Sequence, residues 1–289
     1  MANIKLSSNR LNVIIRRPGT FYKGSRFDWT GFVTDVTLDD AHTFCVSESL
    51  IPGGGSGGRG LCNEFGIHEP IGYDEAEVGA GFPKLGTGII TKTSYEPYNF
   101  FKPAPVKPFP CEVECSAREA IFTTKPVPCN GYACELVKKL SVEDNRLSIQ
   151  YYLKNAGSKA ISTTEYVHNF VSIDHKDIGP DYRLSFSFPL EGGDAPEIFQ
   201  VKDNSIGWKR TAADEFYWAP QGYDKAEEPY WELVDVKSGT GIRETDSFAP
   251  LRIAIWGKTH VVSPEVFIAI NLQPGEEMSW TRVYTFFTA

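Results

Sequence analysis

One imidazole in this chain stands where chemistry could be done. The stretch Thr163-Thr164-Glu165-Tyr166-Val167-His168-Asn169-Phe170 is rich in β-branched and aromatic residues, a composition that suits a pleated strand. Side chains alternate along a strand, so Thr164, Tyr166, His168 and Phe170 share one face, continuing to Ser172 and Asp174. Val167, Val171 and Ile173 point the other way and read as core. Flat rings beside hydroxyl groups are what a sugar-binding surface needs: rings for the C–H faces, polar groups for the hydroxyls. The same pattern also describes a satisfied histidine in a half-buried strand, and the stretch alone favours that plainer reading.

Other candidates are less specific. Arg26-Phe27-Asp28-Trp29 combines a charged fork, a carboxylate and an aromatic plane, and a packing contact of Arg26 with Asp28 or Trp29 explains it as well as a ligand site does. Gly53 to Gly60 contains G-x-G-x-x-G, but no amphipathic helix or βαβ unit surrounds it, so it reads as a flexible loop, able to serve as a lid, rather than a dinucleotide site. Arg59 at its end is either a contact to a ligand oxygen or an exposed loop arginine. In Phe82-Pro-Lys-Leu-Gly-Thr-Gly88 the glycines permit close backbone approach and Lys84 offers a mobile cation; a tight turn with a solvated lysine is the alternative. Cys111-x3-Cys115 and Cys129-x4-Cys134 lack the spacing and paired histidines of common zinc sites, so free thiols, no metal and no cofactor are expected.

The elements that must position these groups are strands. Alternating or apolar segments begin at Leu11, Gly31, His42, Glu112, Ala120, Tyr132, Leu147, Tyr182, Leu251, Val266 and Met278, with turns at Asp39-Asp40, Glu143 to Arg146 and Pro274-Gly275. Residues 61–92 show little periodicity, residues 191–250 are broken by Gly, Pro and Asp, and the prolines from Pro103 to Pro110 exclude a central strand. No long amphipathic helix and no sharp change in composition interrupts the chain. The expectation is an all-β protein, one large antiparallel β-sandwich domain over residues 1–289.

Composition excludes several function classes. A formal net charge of −8 without a dense Lys/Arg run argues against nucleic acid. No apolar run approaches the roughly 18 residues of a membrane-spanning helix, and the N-terminal residues lack the pattern of a secretory signal. A cytoplasmic protein, monomer or homodimer, is expected.

The order of motifs resembles the aldose 1-epimerase (galactose mutarotase-like) superfamily, and within it the mutarotase-like branch more than the galactose enzymes. Tyr166-Val-His-Asn-Phe170 looks like the family strand that carries a catalytic histidine. Ser263-Pro-Glu-Val-Phe-Ile-Ala-Ile, Leu272-Gln-Pro-Gly-Glu and Val283-Tyr-Thr-Phe286 repeat the family's C-terminal order of a glutamate opening a strand, a Pro-Gly turn and a final Tyr-x-Phe strand. The resemblance implies a galactose mutarotase-like supersandwich, a small-molecule carbohydrate as partner, Glu265 as catalytic base and His168 as acid. Arg59 takes the place of the substrate-binding arginine, and Arg26 and Tyr166 complete the expected sugar contacts. One departure stands out: Pro83-Lys-Leu-Gly-Thr-Gly88 lacks the second histidine of the galactose enzymes, and Lys84 occupies its place.

Alternation puts Glu265, Phe267, Ala269 and Asn271 on one face and Val266, Ile268, Ile270 and Leu272 on the apolar one, whereas Glu165 points away from His168. Asp174 on the His168 face would allow two-carboxylate glycoside hydrolysis, but nothing fixes the spacing that reaction needs. Two functions stay open: an epimerase acting on a hexose or, if Lys84 and Arg59 meet an anion, a sugar phosphate or acidic sugar; and a non-catalytic carbohydrate-binding protein on the same fold. The missing histidine favours the second, retention of His168 and Glu265 the first.

Overall fold

The computed structural model describes residues 3–226 and 228–288. Two antiparallel sheets stack face to face. The first runs, in spatial order, Asn3–Ser7, Leu11–Arg16, Phe32–Leu38, Gly60–Phe65, Ile161–Phe170, Val261–Leu272, Arg252–Lys258 and Phe216–Trp218. The second runs Phe199–Lys202, Ser205–Trp208, Tyr182–Phe186, Tyr230–Asp235, Thr240–Asp246, Glu277–Phe287, Arg146–Asn155, Cys134–Glu143, Glu119–Thr124 and Cys111–Cys115. A small sheet of Gly81–Lys84, Gly88–Thr91 and Val106–Pro108 lies beside them. There is no α-helix among the described residues, and the all-β antiparallel sandwich is as the strand pattern requires.

The second sheet alternates as a one-sided strand set should. Leu147, Ile149, Tyr151 and Leu153 face the interior of the sandwich while Gln150 faces solvent, and Arg146 pairs with Glu143 around the turn at Asp144-Asn145. The apolar core joins both sheets, from Ile4 and Val13 to Trp231 and Phe286. It also encloses charge. Arg282, fully buried, donates to Glu165 at 2.8 Å, Glu244 at 2.8 Å and Asp246 at 3.1 Å, and to the carbonyl of Val266 at 3.0 Å. Lys138, buried as well, reaches Asp28, the Thr30 carbonyl and Asn63.

The middle of the first sheet is covered on its outer face too. Tyr22, Phe27, Trp29 and Phe32 pack with Val46, Cys62 and Phe170 over it. Gly60–Phe65 is therefore buried at every position and shows no alternation, and two further short strands, Gly81–Lys84 and Gly88–Thr91, follow it before residue 92. Residues 191–250 likewise contain five short strands. The expected strand from His42 shrinks to His42–Thr43, because residues 45 and 47 make only isolated bridges. Val106–Pro108 lies at the edge of the small sheet, where a proline's missing N–H is tolerated. Asp174 leaves the His168 face altogether: it turns with φ 53° and accepts from the Thr43 amide while bonding His42, so it forms no carboxylate pair with Glu265.

Candidate active site

The ladder between the Ile161–Phe170 and Val261–Leu272 strands runs from Ile161↔Leu272 to Glu165↔Ile268 and then stops. Residues 166–170 pair instead with Gly60–Phe65, and contact with the other strand resumes only at the Val171↔Val262 bridge. Pro264 sits in that gap, and a proline has no N–H to offer the ladder. Side chains splice the opening: Ser263 accepts from the Asn169 amide at 2.9 Å, and the Asn169 side chain donates to the Pro264 carbonyl at 2.7 Å. His168 and Glu265 face each other across it. His168 Nδ1 lies 3.3 Å from Glu265 Oε1, off the line of a hydrogen bond, and each residue is 5% exposed.

Aromatic rings set the imidazole's position. His168 stacks on Phe170 with centroids 4.1 Å apart and meets the edge of Trp256 at 5.0 Å and of Phe27 at 6.3 Å. Burial dominates its protonation: desolvation, then the nearby charges of Arg26 and Lys258, holds the imidazole neutral well below its usual range. The Glu265 carboxyl is pushed up to about 8, again chiefly by burial, with Arg26 and the Ser263 hydroxyl, which donates at 3.2 Å, pulling the other way.

A second carboxylate organises the surrounding cations. Glu64 is fully buried and takes Arg26 Nε at 2.9 Å, the Tyr166 hydroxyl at 2.7 Å and Lys84 Nζ at 3.3 Å. Arg26 also donates to Tyr166 at 3.1 Å and to Ser56 at 2.9 Å, and its guanidinium lies over Phe27 and Phe100, 4.6 Å and 4.4 Å from the ring centroids. Lys84 is 1% exposed, and its other donors go to the Gly66 carbonyl and the Tyr98 hydroxyl. It is neither the mobile cation nor the solvated lysine that its Gly-rich turn suggests.

Three of the four expected sugar contacts, Arg26, Lys84 and Tyr166, thus fall in one network, and His168 and Glu265 lie beside it. Arg59 does not join it. Its guanidinium goes to Asp35, Ser47 and the Thr34 carbonyl, far enough along the strand that none of its hydrogen bonds reaches Glu64 or Arg26. Asp28 pairs with Lys138 rather than Arg26, and the rings under the Arg26 guanidinium are those of Phe27, Phe100 and Phe101. The Gly-rich loop before Arg59 is pinned: Glu48 accepts from the amides of Ser56 and Gly58 and from the Ser56 hydroxyl. Sequence reasoning missed Glu64, because a strand buried on both faces has no periodic signal, and missed Phe100, Arg252 and Trp256, whose roles depend on distant partners.

Beyond Glu265 the sheet face opens into a groove of about 590 Å³, lined by Phe267, Ala269 and Asn271 together with Arg252, His68 and Thr164. The alternation expected for the C-terminal strand is met: Val266, Ile268, Ile270 and Leu272 face the core. Tyr166 stacks on Phe267 at 4.4 Å and connects the groove to the Glu64 network. The groove offers His68, Thr164, Asn271 and Arg252 as polar contacts, and Glu265 lies two residues before Phe267 on the same strand face.

No family model and no curated protein matches the sequence. Solved structures do match. A galactose mutarotase related enzyme from Lactobacillus acidophilus superposes over 99% of this chain and 97% of its own, with TM-score 0.61 at 13% identity. A galactose mutarotase-like protein from Clostridium acetobutylicum covers 99% and 95%, with TM-score 0.60 at 11% identity. The Slr1438 protein from Synechocystis sp. PCC 6803 covers 99% and 96%, with TM-score 0.62 at 12% identity. The fold is the galactose mutarotase-like β-sandwich.

Proposed function

We propose that the protein is an aldose 1-epimerase-like isomerase that interconverts the anomers of a hexose or sugar phosphate, with His168 and Glu265 as its proton-transfer pair. The observation that supports this reading most is the meeting of these two buried side chains at 3.3 Å, with Glu265 on the strand whose next residues on the same face, Phe267 and Ala269, line the groove. Anomer exchange needs a base for the C1 hydroxyl proton and an acid for the ring oxygen. Resting protonation reverses the expected roles: His168 is neutral and Glu265 holds a proton at neutral pH. The imidazole takes the proton from O1 while the C1–O5 bond breaks and the carboxyl group gives its proton to O5, leaving an open-chain aldehyde. Rotation about C1–C2 and reclosure on the other face return both protons to their starting groups. The intermediate state is an imidazolium beside a carboxylate, stabilised by their mutual attraction, while the Arg26 charge favours the carboxylate and opposes the imidazolium.

Arg26 and Tyr166, ordered by Glu64, serve as hydroxyl contacts in this reading, and Lys84 keeps Glu64 compensated. A carbohydrate-binding protein without turnover is the second reading, favoured by the near-complete enclosure of His168 and Glu265. Anomer exchange measured by NMR over free hexoses, pentoses, uronic acids and sugar phosphates separates them. The isomerase accelerates exchange for one class, and Glu265→Gln or His168→Asn lowers that acceleration by about 100-fold or more. Line broadening without acceleration for any sugar would leave only the binding protein.

A further inference from the structure

The cations near the groove are not equivalent. Arg26 and Lys84 share Glu64, Arg59 is paired with Asp35, and Lys258 lies 3.2 Å from Glu215. Arg252 has no carboxylate within 4.0 Å and no hydrogen-bond acceptor among the described residues, and its Nε is buried without a partner. What holds it is an aromatic face: the guanidinium carbon lies 3.9 Å from the centroid of Phe267, which stacks in turn on Tyr166. Arg252 lines the groove directly across the sheet from Phe267, since the two residues are Cα partners in the ladder. Glu265 is therefore its diagonal neighbour on the same face, about 7–8 Å away by ordinary sheet geometry. The wall also carries Glu69, exposed and not within ion-pair distance of Arg252.

A guanidinium held over a ring, with no carboxylate partner, leaves its terminal N–H groups unpaired, and these match the two oxygens of a carboxylate or phosphate. Arg252 is half-buried with its Nε enclosed and unpartnered, and an anionic ligand supplies the acceptor it lacks. We infer that the groove takes an anionic sugar, an aldose bearing a phosphate or carboxylate group, and that Arg252 binds the anion while the ring lies toward Glu265 and His168. This rests on the reading of the groove as the sugar site. The groove volume of about 590 Å³ falls within the roughly 300–1,000 Å³ of small-molecule sites.

Calorimetric binding and NMR anomer exchange are both measured for glucose, glucuronate and glucose 6-phosphate, with the wild type, Arg252→Gln and Arg252→Lys. One of the two anions is expected to bind wild type at least tenfold more tightly than glucose, and which one tells carboxylate from phosphate. Arg252→Gln should remove that preference, and Arg252→Lys, which keeps the charge but not the fork, should restore only part of it. Equal affinity for glucose and both anions, or a preference unchanged in Arg252→Gln, overturns the inference. Binding reports on the anion contact even without turnover: a preference lost in Arg252→Gln with no exchange for any sugar would sink the isomerase and keep the anion site.

Discussion

Glu265 carries the titratable proton near neutrality while His168 is neutral, and that assignment has consequences for both rate and stability. Glu265 must hold its proton to act as acid, so kcat/KM for anomer exchange should fall above pH 8, by up to tenfold per unit, in a pH–rate profile. Stability follows from the same shift. The carboxyl titrates at about 8 in the folded chain against an ordinary 4.5, so between those values the native state keeps a proton that the unfolded state has released. The contribution is fully present below about 4.5 and is lost as pH rises to about 8, at a limiting slope of roughly 1.4 kcal/mol per unit. Glu265→Gln lacks this loss. Its Tm relative to wild type should rise from pH 5 to pH 8.5, and a constant difference across that range would show that Glu265 titrates in its ordinary range.

At the scale of the elements, the site depends on a strand pair that is held apart and on a loop that presses against it. Gly58 in the Glu48-pinned loop leaves no room for a side chain: a Cβ there would lie 2.1 Å from the Phe170 ring, which stacks on His168. Phe170 is fully buried and cannot swing away cheaply. Gly58→Ala should therefore displace the ring and the imidazole with it, lowering kcat at least about tenfold, since misplacement of a catalytic group by about an ångström has large effects. The thermal midpoint should fall by only a few degrees. Unchanged kcat would mean that the loop, rather than the histidine, gives way. The pinning by Glu48 also accounts for a loop whose glycine-rich sequence suggests a lid yet which is tied to Arg26 through Ser56.

Across the whole molecule, the two sheets are joined by charge as well as by apolar packing. Arg282 stands on the Glu277–Phe287 strand of the second sheet and meets Glu165 and the Val266 carbonyl of the first. Burial, and then Glu244, raises the Asp246 carboxyl well above its usual range, and Arg282 is the one cation that Glu165, Glu244 and Asp246 meet within ion-pair distance among the described residues. Arg282→Met removes the cation and strands those carboxylates, which should cost about 3–5 kcal/mol in chemical denaturation. Because one apolar core spans both sheets, wild type and variant should each unfold in a single transition. A loss below 1 kcal/mol would mean that the buried network adds nothing to the cohesion of the sandwich.

The strand faces were legible from sequence because alternation is local. His168 with Tyr166 and Phe170, Glu265 with Phe267 and Asn271, and Glu165 on the opposite side all follow from a two-residue period that each strand carries within itself. The all-β class was legible for the same reason. The gap that brings His168 to Glu265 was only partly so: Pro264 is visible in the sequence, but which strand it fails to pair with is set by neighbours nearly a hundred residues away. Charge assignment was not legible at all. Whether Lys84, Arg59 or Arg252 is left for a ligand depends on which carboxylate each meets, and Glu64, Asp35 and the bare face of Phe267 reach them only through the tertiary fold. Periodicity decides which way a side chain points, and packing decides what it finds there.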